Sequence, residues 1–124
     1  MKDNLIVSKS FQFSVDIIEI YKKLSKDKSE YVLSKQLLKA GTSIGANIKE
    51  GVQAQSKKDF ISKMSIALKE AFETEYWIEL LEKTGFIESE TSRRLLKKLS
   101  EIIKILNSII ITSKNNLKDN SNVL

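Results

Sequence analysis

The sequence predicts an all-α protein, an antiparallel up-and-down four-helix bundle, on three observations. The 124 residues include no proline and only four glycines, whereas folds rich in strands and tight turns need both residue types. Leu, Ile, Lys, Glu and Ser dominate the composition, as is typical of helical proteins. Apolar residues recur every three to four positions in four segments, and the joints between these segments are short enough to make neighbouring helices antiparallel.

The first two segments predict helices over residues 10–25 and 30–50. One face of the first carries apolar residues at 4-3-4 spacing: Phe13, Ile17, Ile20 and Leu24. In the second, Gly41 and Gly45 lie one turn apart, and each costs about 1 kcal/mol of helix propensity relative to alanine. We therefore expect a close backbone approach on their side. Gly51 follows this segment, where a left-handed C-cap is expected.

The last two segments predict helices over residues 57–84 and 89–113. Ser56 and Asp59 form a variant of the capping box at the start of the third helix, and Gly85 ends it. The third helix has an apolar stripe six turns long: Phe60, Met64, Ala67, Ala71, Thr74, Ile78 and Leu81. The fourth has heptad-like spacing: Leu95, Leu99, Ile102, Leu106 and Ile109. Residues 1–113 are thus predicted to form one domain, and the polar residues 114–124 a disordered tail.

The composition excludes most kinds of active site. The chain has neither cysteine nor histidine, which removes thiolate nucleophiles, imidazole bases, disulfides and most transition-metal ligands. It also has no glycine-rich phosphate loop or serine nucleophile elbow. We therefore expect a protein that is not an enzyme and binds no cofactor or metal. The only apolar run near the N-terminus is Leu5–Val7, too short for a signal peptide or a membrane span, so a cytoplasmic location is expected.

Positive charge is concentrated in the first and last segments. The net charge is +5, with +4 on residues 89–124 and −2 on residues 57–88. Basic doublets in the first and fourth helices are the candidates for contacts with RNA or DNA phosphates: Lys22, Lys23, Arg93, Arg94, Lys97 and Lys98. The four on the fourth helix recur one turn apart and predict a continuous basic strip. An ordinary solubilising surface is the alternative. No base-reading motif occurs, so binding would be to the backbone.

Two polar groups could carry chemistry but are better interpreted as structural. The third helix is rich in glutamate, including Glu73 and Glu75, and a carboxylate-based enzyme would have to use these residues. Di-iron bundles need Glu-x-x-His pairs, which cannot exist here. We interpret the cluster as a solvated face, with Glu75 partly buried. Near the end of the second helix, Ser43, Asn47 and Glu50 could form a polar pocket, but a hydrogen-bond set is favoured.

The second, third and fourth helices have more apolar surface than a monomeric bundle requires. A thick core would account for it, and so would burial between subunits, which we favour. Trp77 and the small residues of the second and third helices indicate where such a contact lies. A protein–protein interaction scaffold with no direct nucleic-acid role is therefore the alternative function.

The run from Ala40 to Gly51 resembles the S-I-x-x-N-I-x-E-G motif of the four helix bundle proteins, first noticed as products of intervening sequences in bacterial 23S rRNA genes. Residues 56–81 are similar to the second conserved block of that family, and residues 84–87 to its ending. The resemblance covers roughly residues 8–112. Lys49 replaces the frequent alanine of the motif, and the usual proline before the second helix is missing.

The resemblance implies a bundle that assembles as a ring-like or barrel-like homo-oligomer, specifically a pentamer. It also implies that a related branch, the accessory protein of diversity-generating retroelements, binds nucleic acid and a reverse transcriptase. A reverse transcriptase is therefore an expected partner if one is encoded beside this gene. The family has no known catalytic residues. Its markers at Ser43, Asn47, Glu50, Gly51, Glu73 and Glu75 are expected to be structural.

Overall fold

The chain folds into four α-helices: α1 (Lys2–Asp27), α2 (Val32–Val52), α3 (Lys57–Lys83) and α4 (Ser89–Asn122). The computed structural model describes the backbone of residues 2–122 and the side chains of residues 5–119. Within that range there is no β-strand. The predicted all-α fold class is confirmed.

The helices form a closed bundle in which each packs against its neighbours in sequence, and α1 also packs against α4. Ion pairs fix the direction of the closing contact, because Lys9 pairs with Glu101 whereas Asp16, farther along α1, pairs with the earlier residue Lys98. The two helices therefore run antiparallel. Together with the short joints, this contact gives the up-and-down arrangement predicted from the sequence.

The core lies along the axis of the bundle and takes residues from all four helices. Its largest fully buried side chains are Phe13, Ile6, Ile17, Leu37, Ile44, Ile48, Met64, Ile78, Leu81, Leu95, Leu99 and Ile102. Small residues of α3, Ala67 and Ala71, are completely buried between these large side chains. The apolar stripes predicted for the four helices are the surfaces that meet here.

The ends of α3 follow the sequence prediction. The Ser56 side chain accepts a hydrogen bond from the Asp59 backbone N–H at 3.1 Å, which is the predicted capping contact. Gly85 follows the C-terminus with φ +85°, a left-handed conformation that glycine adopts without strain. Both ends of α3 are therefore determined by local sequence.

The start of α2 is capped by a residue that the sequence did not identify. Tyr31 occupies the N-cap position without making a side-chain hydrogen bond. Instead the Glu30 carboxylate accepts from the backbone N–H of Leu33 at 2.9 Å and of Ser34 at 2.7 Å. Ser29, just before it, has φ +51° and turns the chain from α1 into α2.

The role predicted for Gly51 is wrong. The residue lies inside α2 rather than beyond its end, and among the described residues only Gly85 and Ser29 have positive φ. A Cβ at Gly51 would lie 2.8 Å from Met64 Cε and 3.1 Å from Lys63 Cβ, so α2 packs closely against α3 at this position. The close approach predicted for Gly41 is present, since a Cβ there would lie 2.9 Å from Ile17 Cγ1.

Both terminal helices extend beyond the predicted bounds. α1 begins at Lys2 rather than near residue 10, and the fully buried Ile6 extends its apolar stripe toward the N-terminus. α4 continues to Asn122, so the tail predicted for 114–124 is helical over 114–122, and residues 123–124 lie outside the described range. No glycine or proline interrupts this segment, and Leu117 is half-buried. None of the described helices is apolar over a length that would cross a membrane.

Candidate nucleic-acid interface

The two groups of predicted phosphate-binding residues, far apart in sequence, lie at the same end of the bundle. Lys23 of α1 and Thr91 of α4 line one cleft between these helices. Arg94 follows Thr91 by three residues, which is about 4.5 Å along the helix axis. The antiparallel contact between α1 and α4 therefore brings the C-terminal end of α1 beside the first turns of α4. We call the six predicted cations Lys22, Lys23, Arg93, Arg94, Lys97 and Lys98 the basic surface.

Lys98 is occupied by a contact within the bundle. Its Nζ lies 2.7 Å from Asp16 Oδ2, and the Asp16 side chain is only 15% exposed. Gln12 also donates to the same carboxylate, at 3.3 Å to Oδ1. The Lys98–Asp16 pair joins α4 to α1, so Lys98 has a structural role that its sequence pattern did not reveal.

Arg93 and Lys97 lie on the other side of α4, where they line a shallow groove shared with Glu82 of α3. The Ser92 hydroxyl lowers the pKa of Glu82, and Ser89 and the positive charge of Arg93 act in the same direction. The approach of Ser92 stops short of a full hydrogen bond, because its buried Oγ has no partner. The predicted strip on α4 thus divides into one side facing α1 and another facing α3.

Among the described side chains, four cations of the basic surface form no ion pair, and one of the four, Arg93, lowers the pKa of Glu82. Lys22 lies 3.7 Å from Glu19 in an exposed pair, and Arg93 lies near Glu82. Among the described side chains, Lys23, Arg94 and Lys97 form no ion pair and are exposed. These three residues are free to neutralise an external anion without breaking a contact of the fold.

The family-motif residues of α2 make two hydrogen bonds within their own helix and one ion pair to α3. Asn47 Nδ2 donates to the Ser43 carbonyl at 2.8 Å, and Ser43 Oγ donates to the Lys39 carbonyl at 2.6 Å. Glu50 lies 3.8 Å from Lys63 of α3, next to the packed Gly51. These contacts fit the hydrogen-bond set expected from the sequence. They do not form a pocket with convergent polar groups.

The glutamates of α3 are spread around the helix instead of converging. Glu73 is exposed and Glu75 is half-buried. Partial burial and the nearby charge of Glu73 raise the pKa of Glu70, although Lys69 and Lys39 act in the opposite direction. Over the described residues, no three carboxylates are grouped in a way that could hold a metal ion.

An apolar groove lies between α1 and α2 and was not predicted from the sequence. Phe11 and Ile18 form one wall, and Thr42, Gly45 and Ala46 of α2 line the other side. Phe11 is 70% exposed. Phe11 lies in sequence between Ile6 and Phe13 of the buried stripe, so its exposure was not predicted. Phe11, Val15 and Ile18 nevertheless have a 4-3 spacing of their own, which indicates a second apolar face on α1. Trp77, expected to mark an intersubunit contact, is half-buried against the core.

The fold and this surface define a small four-helix-bundle protein with exposed cations on α1 and α4. A model of the 23S rRNA-intervening sequence protein family matches residues 2–108. The chain belongs to that family, which confirms the resemblance seen in its two motifs.

A similar solved structure comes from Bacteroides thetaiotaomicron VPI-5482 and is described as a protein of unknown function from the S23 ribosomal protein family. The two sequences are 54% identical and the structures have a TM-score of 0.88. The match covers 89% of this chain and 98% of the other. Comparison with curated proteins gave no match.

Proposed function

We propose that this protein binds the phosphate backbone of RNA or DNA through the basic surface and has no catalytic activity of its own. The observation that carries the proposal is the position of Lys23, Arg94 and Lys97, three unpaired cations from two helices at one end of the bundle. The net charge of +5 favours the approach of a polyanion. The name of the family refers to 23S rRNA, so RNA is the first ligand to test.

The expected binding is weak for one chain and strongly dependent on salt. Each phosphate neutralised contributes about 0.7–0.9 to the slope of log K against log salt, so three contacts predict a slope near −2 to −3. Backbone contacts position a protein but do not read sequence, so single-stranded RNAs of the same length but different sequence should bind alike. If several chains associate, the contacts add through avidity.

A charge-reversal experiment tests the proposal. The triple variant Lys23→Glu, Arg94→Glu, Lys97→Glu is compared with Lys57→Glu, Lys58→Glu, Lys114→Glu, which changes the charge equally at the opposite end. Fluorescence anisotropy with labelled RNA across a salt series should show binding abolished in the first variant and largely kept in the second. Failure of the native protein to bind RNA or DNA at low salt overturns the proposal. Equal losses in the two variants would move the site elsewhere.

We also propose that the chain associates with itself, because exposed apolar residues lie on two opposite sides of the bundle. The α1–α2 groove lies on one side. On the other side, Phe72 and Tyr76 are one turn apart on α3 and are 50% and 57% exposed. A concave groove and a protruding aromatic pair on different faces suit a head-to-tail contact, which generates rings or filaments.

The alternative function is that of a scaffold for another protein. The α1–α2 groove favours it, since an amphipathic helix of a partner could lie against Phe11 and Ile18. Affinity capture with and without nuclease separates the two functions. A specific protein partner that survives nuclease treatment, and is lost in a Phe11→Ser variant, would support the scaffold. Partners that disappear with nuclease would support nucleic-acid binding.

A further inference from the structure

A cleft beside the basic surface has an apolar floor. It lies where the last turns of α1 meet the joint between α3 and α4, and it encloses about 300 Å³. The side chains of Ile20, Leu24, Phe86 and Ile87 form the floor. All but Phe86 are almost fully buried, and Phe86 is half-buried. The volume is at the lower limit for ligand pockets, which suits one small planar group.

The rim of the cleft carries both signs of charge. Lys23 and Lys28 supply two ammonium groups, Asp27 and Glu88 supply two carboxylates, and Thr91 adds a hydroxyl. The charged groups of the rim are exposed and Thr91 is half-buried, so donors and acceptors both lie at the edge of the apolar floor. A planar heteroaromatic ring with donors and acceptors on its edge satisfies both the floor and the rim.

The surroundings of the cleft indicate what such a ring would be attached to. Lys23 belongs both to the rim and to the basic surface, and Arg94 stands one turn beyond Thr91 on α4. Both cations are unpaired. A ligand that places a planar ring in the cleft and phosphates beside these two residues is a nucleotide within a nucleic-acid strand.

We propose that the cleft accepts one unstacked base of a single-stranded nucleic acid. This inference rests on the proposed backbone binding, and it makes the protein selective for single strands. Bases inside a duplex are stacked and paired, so they cannot enter a cleft of this size without being extruded. A single strand presents its bases freely, and Phe86 offers the aromatic surface on which single-strand-binding proteins stack bases. Lys23 and Arg94 then hold the flanking phosphates.

Three RNA probes of one length test the proposal by fluorescence anisotropy: a single strand, its duplex, and the single strand with abasic sites throughout. The native protein is expected to bind the single strand at least about fivefold more tightly than the other two, since base stacking on an aromatic residue contributes that much or more. Phe86→Leu, which keeps the apolar floor but removes the ring, should abolish this preference and leave duplex binding unchanged. Phe60→Leu, which changes a half-buried phenylalanine near the start of α3 at the opposite end of the bundle, is the matched control and should keep it.

The outcomes separate the two proposals. No binding of any probe at low salt overturns the backbone-binding function and this inference with it. Equal affinity for all three probes, or a single-strand preference that Phe86→Leu leaves intact in a folded protein, overturns the cleft and leaves backbone binding standing. Helical content and unfolding of each variant by circular dichroism establish that it is folded.

Discussion

Gly41 and Gly51 both allow α2 to pack closely, but their neighbours differ in stiffness. At Gly41 the atoms that a Cβ would meet belong to Ile17, at 2.9 and 3.0 Å from its two γ carbons. Ile17 is β-branched and fully buried, so its side chain has one strongly preferred rotamer in the helix. At Gly51 the nearest atom is the terminal methyl of Met64, which is flexible.

Alanine substitution should therefore separate the two glycines. Each variant gains up to about 1 kcal/mol of helix propensity, but Gly41→Ala also overpacks the core at a cost of about 1–3 kcal/mol. We expect Gly41→Ala to lower the free energy of unfolding by about 1–2 kcal/mol and Gly51→Ala to change it by less. Urea unfolding measures both. A Gly51→Ala variant less stable than Gly41→Ala would contradict the packing argument.

Glu30 stabilises the start of α2 only when its carboxyl is ionised. Partial burial raises its pKa, but the hydrogen bonds from the backbone N–H groups of Leu33 and Ser34 and from the Ser34 hydroxyl outweigh this, and the pKa is lowered overall. A lowered pKa means that the folded chain prefers the charged form. The stabilisation is therefore fully present above the pKa of the unfolded chain and is lost as the pH falls through the pKa of the folded chain.

The Glu30→Gln variant is expected to be less stable than the native protein by about 1 kcal/mol at neutral pH, the usual contribution of a capping side chain. The difference should shrink in acid, where the native carboxyl becomes neutral as well. Urea unfolding between pH 7 and pH 3 measures it. Glu79→Gln, an exposed change on α3, is the control and should give no such pH-dependent difference. A constant difference across the range would show that the charge of Glu30 is not involved.

At the scale of elements, the contact between α1 and α4 depends on ion pairs of unequal quality. Lys98–Asp16 is short and has a largely buried carboxylate, whereas Lys9–Glu101 is 3.2 Å long with both side chains well exposed. Exposed pairs contribute little to stability because solvent screens them. The buried carboxylate of Asp16 would be left without its cation if Lys98 were removed, which makes this pair the stronger connection.

Double-mutant cycles should show this difference. We expect a coupling energy of about 1 kcal/mol between Asp16→Asn and Lys98→Gln, and a few tenths of a kcal/mol between Lys9→Gln and Glu101→Gln. Chemical denaturation of the four single and two double variants provides the values. Equal coupling in the two cycles would mean that the burial of Asp16 has no energetic consequence.

The sequence predicted the elements better than the contacts between them. The apolar stripes of α3 and α4 predicted that both segments are helical, and Ser56 predicted where α3 begins. Both predictions succeed because periodicity and capping are local signals. The roles of Lys98 and Phe11 depend on which helix lies beside α1, and spacing within one helix carries no such information. For the same reason the basic strip looked continuous in sequence, although the fold directs Arg93 and Lys98 toward different neighbours.

At the scale of the whole molecule, the distribution of exposed apolar side chains bears on how copies meet. α1 and α3 lie diagonally across the bundle, because each contacts α2 and α4 but, over the residues that the structure describes, they do not contact each other. Phe11 on α1 and Phe72 on α3 are therefore exposed on faces separated by the thickness of the bundle. A patch that meets its own copy gives a closed dimer. Two different patches that meet each other give a ring or filament.

Mixing two variants distinguishes these geometries. Phe11→Ser removes one patch and Phe72→Ser the other, so in a head-to-tail assembly each variant alone stays monomeric, but the mixture forms a dimer through the one intact pair of faces. Light scattering after size exclusion gives the masses, and Ile111→Ser, an equally exposed apolar change on α4, should assemble like the native protein. A native protein that stays monomeric at high concentration would contradict self-association. Variants that each form dimers on their own would instead indicate that each patch meets its own copy.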